Sequence, residues 1–152
     1  MKVQIENKQK KIRLDRRKIR STVLKLLRHL KCPDKELSLL FVSDEVIQLL
    51  NKQYLGKDNP TNVLSFSLQE GEYNYVNPHI LGDIVISIDT ALRDATTEGL
   101  TLEQEIDFLV VHGLLHLLGY NHENTTNEET KKMWAKERDL LKVLNYHDLN
   151  CV

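Results

Sequence analysis

With 152 residues, 41% of them hydrophobic and 28% charged, the chain has the proportions of one soluble globular domain, and disorder is excluded. It is long enough to bury a core without staples, no apolar run reaches membrane-spanning length, and residues 1–7 lack the apolar stretch of a secretion signal. The net charge of −1 conceals a division: residues 1–31 hold twelve Lys or Arg against two acids, and the remainder nine against twenty.

A balance of +10 followed by one of −11 suits a polyanionic partner, or equally a solvated basic helix face. Cys32 and Cys151 have no metal-type spacing and read as free thiols in a reducing compartment, with the cytoplasm as the default location.

Taken in order, Val3 and Ile5 alternate with polar neighbours and predict a first strand. The basic run 8–13 is a loop or a strand extension. Asp15 is placed to cap a helix whose Ile19, Val23, Leu26, Leu27 and Leu30 share one face and whose end Pro33 marks. The opposite face presents Arg17, Arg20, Arg28 and Lys31. Residues 37–42 form a buried strand, and Ser43 then caps a helix directing Val46, Ile47 and Leu50 inward. Residues 56–60 are a loop, 63–67 a third strand, 69–79 an exposed excursion and 81–88 a fourth strand. A helix follows from about Asp89 to Glu98 and stops near Gly99.

The next helix opens on a capping box, Thr101 with Gln104, reinforced by Glu103 and Glu105. Residues 108–118 are apolar apart from His112, Gly113 and His116, so this helix is buried on most of its surface. Histidines four apart lie on one face, one turn apart. Gly119 lets the chain leave through a positive φ angle, and His122 can then swing back beneath the other two. Three neutral imidazoles converging on a point, with a fourth position open, are the usual holder of a catalytic Zn²⁺. The plainer alternative is a set of core histidines satisfied by carboxylates or carbonyls, which fits three at this spacing poorly. Beyond them, Thr126 and Glu129 form a second capping box, opening a last helix with Met133, Trp134, Leu140 and Leu141 inward. Strands alternating with helices, then an all-helical end, argue for one α/β or α+β sheet with helices packed on it.

The His, His, Gly, His offsets of 0, 4, 7 and 10 match the metzincin protease pattern. Where those proteases hold their general-base glutamate, after the first histidine, stands Gly113. Losing a positioned general base costs roughly 10²- to 10⁴-fold. The spacing therefore supports metal-assisted hydrolysis, while the missing carboxylate points away from proteolysis.

The motif His112-Gly113-Leu114-Leu115-His116-Leu117-Leu118-Gly119-Tyr120-Asn121-His122 resembles that of the YbeY family of bacterial endoribonucleases, as do residues 58–66 and 82–87. The resemblance implies a single α+β domain over residues 1–152, with a mixed, roughly four-stranded sheet and about five helices. It implies a metal-dependent RNase that cuts single strands in small-subunit (16S) rRNA 3′-end maturation and ribosome quality control. It further implies one Zn²⁺ or another divalent transition metal on His112, His116 and His122, and as partners RNA, the ribosome or its proteins and an assembly GTPase, with no membrane.

Catalytic roles fall to His112, His116 and Lys57, the last as the cation for developing phosphate charge or else a solvated loop lysine. Three positions depart from the family. Leu55 stands where an arginine is common, and Asn62 and Asn121 replace aspartates. An amide hydrogen-bonds but does not raise a ligand's basicity as a carboxylate does. Asp83 is either a cleft-rim residue or, with Gly82, part of a strand bulge. Met133 reads as core, Tyr120 and Trp134 as core or site-lining, and His29, His79 and His147 as isolated. The competing readings are a ribosome-assembly binding protein with a structural metal and, less favoured, a metallopeptidase.

Overall fold

Strand β2 (Glu36–Val42) is apolar at almost every position because both of its faces are covered. Leu37, Leu39 and Phe41 enter the main core, while Leu40 and Val42 join a smaller cluster on the other side of the sheet. The computed structural model describes residues 3–68, 79–120 and 126–146, and within them β1 (Val3–Asn7), β2, β3 (Val63–Ser67) and β4 (Ile80–Ser87) form one sheet in the order β1-β2-β4-β3. β1 and β4 run parallel to β2, and β3 is antiparallel to β4. The mixed four-stranded sheet and the five helices agree with the expected α+β class. Of the expected excursion, residues 69–78 lie outside the described residues, as do His122, Asn121, His147 and Cys151.

On one face α1 (Arg16–His29), α4 (Leu102–Leu117) and α5 (Asn127–Val143) enclose the main core with Leu26, Leu27, Ile84, Ile86, Leu114, Leu115 and Leu140. Asp15 caps α1 by accepting from the Lys18 amide at 3.2 Å. Arg20, expected on the solvent face, is half-buried, and its Nε donates to the Val3 carbonyl at 3.3 Å. Trp134 departs from expectation in the other direction. It is 44% exposed, because Met133 occupies the inner face of α5 and the next residue is turned away by about 100°.

Among the described residues the second face carries α2 (Asp44–Leu55), over Val42, Ile47, Leu64 and Val85. So small a patch needs a narrow apolar stripe, which explains why Val46 is exposed rather than inward. α3 (Ile88–Glu98) begins one residue earlier than expected, and Ser87 joins it to α2. The Asp44 carboxylate accepts from Ser87 Oγ and Thr90 Oγ1, both at 2.6 Å, and from the Arg93 guanidinium at 2.7 Å. Burial works to raise this carboxyl, but those three donors outweigh it and hold it below the usual range. Asp89 accepts in turn from the Asp44 amide at 2.9 Å, so two helix N-termini are tied by carboxylates suited to their dipoles.

Two glycines set how the main layers meet. Gly82 has φ +140°, and a Cβ there would lie 2.0 Å from the Phe66 carbonyl oxygen and 3.1 Å from Leu117. The register against β2 slips just before it, with Glu36 opposite Ile80 and Leu37 opposite Gly82, so the extra residue is Leu81, and Asp83 pairs regularly with Ser38 rather than forming a bulge with Gly82. Gly82 faces Leu117, so by strand alternation Asp83 lies on the side away from α4, where Ser38 Oγ donates to it. Gly113 brings α4 down on β4: a Cβ would meet Ile84 Cγ2 at 2.9 Å and Ser65 Oγ at 3.2 Å.

Glu105 is the odd member of α4. Expected as an acid that reinforces the first turn, it is 4% exposed, and among the described residues its Oε2 has no hydrogen-bond partner. Burial first, then the hydrogen-bonded Glu98 carboxyl and nearby Asp94, push its pKa up to about 7.

Two outcomes follow from these contacts. In an open helix Gly→Ala gains about 1 kcal/mol, but overpacking a rigid buried contact costs roughly 1–3 kcal/mol. Gly113→Ala therefore lowers stability on balance, read from the denaturant midpoint at constant m-value. For Glu105, the unfolded chain releases its proton near 4.5 and the native chain near 7. Between these the native state binds more protons, so this group's contribution is complete below 4.5 and is lost as pH rises through 7. Glu105→Gln removes that loss, and its stability advantage over the parent grows from pH 5 to pH 8 in parallel unfolding titrations.

Candidate metal centre

α4 is stopped and started by its own sequence. Thr101 Oγ1 accepts from the Gln104 amide at 3.1 Å and Gln104 Oε1 from the Thr101 amide at 2.9 Å, completing the predicted capping box. At the other end Gly119 has φ +95° and donates to the His116 carbonyl at 3.1 Å, while Tyr120 donates to Leu115 at 3.0 Å. Those two bonds are the Schellman arrangement, the glycine exit read from the sequence. The partly buried Tyr120 packs against the main core.

Almost the whole circumference of α4 is buried. β3 fastens it laterally: Ser65 Oγ donates to the Gly113 carbonyl at 3.1 Å and Ser67 Oγ to Leu117 at 3.2 Å. His112 and His116 occupy a strip that these contacts leave partly open, and the His112 side chain is 25% exposed. Their Nε2 atoms face one another at 3.0 Å, with ring centroids 4.6 Å apart and planes inclined by 74°. Two nitrogens bound to one tetrahedral ion at ordinary Zn–N lengths stand about 3.3 Å apart. The pair is close to that spacing, and its donor atoms are of the type such an ion takes.

The other nitrogen of His112 is held from α5, where Glu137 Oε1 lies 2.7 Å from His112 Nδ1. An ionised carboxylate only accepts, so these partners assign the proton to Nδ1 and leave the Nε2 lone pair directed toward His116. Glu137 was absent from the sequence-based site. Its signal was helical spacing: it falls one turn after inward-facing Met133 and one turn before Leu141, an acid on an apolar inner face.

The remaining site residues divide. His122 lies outside the described residues, and among those described no group of three His, Cys, Asp or Glu side chains is arranged to hold a metal ion. Lys57 is exposed on the loop after α2. That loop is anchored: the Lys57 amide donates to the Asn51 carbonyl at 3.3 Å, and buried Asn51 Nδ2 donates to the Asn59 carbonyl at 2.9 Å. Leu55 is 56% exposed beside Tyr54, whose ring meets Phe66 edge-on. The Asn62 carbonyl accepts from the Ser87 amide at 3.0 Å, extending the β3–β4 ladder. Met133 is fully buried, His29 pairs with Asp139 at 3.1 Å, and Asp83 lies on the far face of the sheet.

A family model described as Endoribonuclease YbeY matches residues 4–145. The Endoribonuclease YbeY of Syntrophus aciditrophicus is 55% identical over 150 residues, spanning 99% of this chain and 94% of the relative. That of Geobacter sulfurreducens is 43% identical over 144 residues, spanning 95% and 96%. A solution structure of a Thermotoga maritima protein superposes with a TM-score of 0.64 at 28% identity, covering 93% of this chain and 88% of that one. The chain belongs to the YbeY family.

Proposed function

We propose that this chain is a metal-dependent endoribonuclease that cuts single-stranded RNA, acting in the cytoplasm on the 3′ end of small-subunit rRNA and in ribosome quality control. The observation that carries the reading is the convergence of two imidazole nitrogens to 3.0 Å on a partly open strip, one of them oriented by a carboxylate. Relatives named Endoribonuclease YbeY supply the substrate class.

His112, His116 and His122 would hold a zinc-like ion through neutral ring nitrogens. When bound, such an ion supplies Lewis acidity to a phosphodiester oxygen and brings the pKa of water toward neutrality. Lys57, on its anchored loop, offers a cation for charge developing on the phosphate. Gly113 argues against peptide hydrolysis on two grounds: it carries no base, and its Cα faces Ile84 and Ser65 of the sheet, so a longer side chain has no room there.

Affinity for the RNA backbone belongs to the first helix. Lys11 and Lys18 are paired with Asp89 and Glu103 at 3.2 and 2.7 Å, whereas Arg17, Lys25, Arg28 and Lys31 form no ion pair among the described residues. Exposed Leu55, where the family commonly has arginine, favours a second reading: a ribosome-assembly factor whose metal is structural and whose partners include ribosomal proteins and a GTPase.

Incubation with single-stranded RNA separates these readings. Cleavage is expected to require a divalent metal, to stop with chelator and to fall by roughly 10²-fold or more in His116→Ala. Undiminished ribosome binding without cleavage under any metal would favour the assembly factor. Removing the charges of Arg17, Lys25 and Arg28 together should flatten the dependence of log affinity on log salt by about 2, at roughly 0.7 per phosphate contact on a single strand.

A further inference from the structure

We infer that Glu137 is a positioning residue that fixes the tautomer and direction of His112 and supplies the negative charge that a bound cation needs. This rests on the metal-centre reading above and goes one residue beyond it.

Glu137 sits on the inner face of α5, its side chain 15% exposed, with Oε1 on His112 Nδ1 at 2.7 Å. It forms no ion pair with Lys or Arg among the described residues. A carboxylate drawn partly out of water, with the His112 ring as its one partner among the described residues, is short of positive charge. A cation on the far side of the same ring corrects this, because Nδ1–H donates to the carboxylate while Nε2 gives its lone pair to the ion. The contact is unnecessary for docking α5, since Met133, Leu140 and Leu141 already bury that helix against the main core.

Two measurements on the full chain test the proposal. Zn²⁺ affinity is read by competition with a chromogenic chelator, and histidine tautomers by ¹⁵N chemical shifts of metal-free protein. Glu137→Ala should bind zinc about 10- to 100-fold more weakly. Glu137→Gln keeps an oxygen acceptor without the charge, so it should retain the Nδ1–H form of His112, unfold at the parent's temperature and lose only part of the affinity. A purely structural role predicts the reverse, lowered stability in both variants with zinc affinity unmoved, and Glu137→Ala binding within twofold of the parent overturns the proposal. If the parent itself takes up no zinc, the metal-centre reading fails. The positioning claim then rests on the nitrogen spectrum alone, and an unchanged His112 tautomer in Glu137→Ala sinks it.

Discussion

The close approach of α4 to the sheet governs the rest of this structure. Gly113 has Ile84 and Ser65 where a side chain would be, and the hydroxyls of Ser65 and Ser67 bond to α4 carbonyls on the same side. A helix held that closely along one line has its rotation about its own axis settled. Leu114, Leu115 and Leu117 then fill the core, and the strip bearing His112 and His116 is left between the β3 edge and α5. Apolar burial drives the packing, and it also orients the polar pair.

The same constraint separates this chain from the proteases whose histidine spacing it shares. In those enzymes the residue after the first histidine is a base. Here that position is the contact point with the sheet, so one glycine serves the packing and removes the base together. Chemistry that needs a carboxylate beside the substrate would have to draw it from another element. The carboxylate that reaches His112 among the described residues, Glu137, is already committed to the back of its ring.

Charge is distributed with comparable economy. Asp44 and Asp89 tie the starts of α2 and α3 through hydroxyl, amide and guanidinium donors. Glu105 stands out because it lies among acids, next to Glu98 and Asp94, with one buried oxygen unmatched. The basic N-terminal stretch of residues 1–31 is partly engaged in internal contacts, through Lys11, Lys18 and Arg20, and what remains on α1 is a shorter row of cations than its composition suggested.

Local rules carried the sequence a long way. Caps at Asp15, Ser43 and Thr101, exits at Gly99 and Gly119, and the alternation of the strands placed the described strands and the starts of the helices to within a residue or two, because each depends on neighbours in the chain. The histidine pair was legible for the same reason, since a spacing of four in a helix is a distance in space. Sheet order, the inward turn of Glu105, the exposure of Val46 and Trp134 and the retreat of Arg20 were not legible, because each depends on which distant surface arrives to cover a side chain. Glu137 belongs with these. It lies twenty-five residues from His112 along the chain, and only the packing of α5 against α4 brings its carboxylate to the ring.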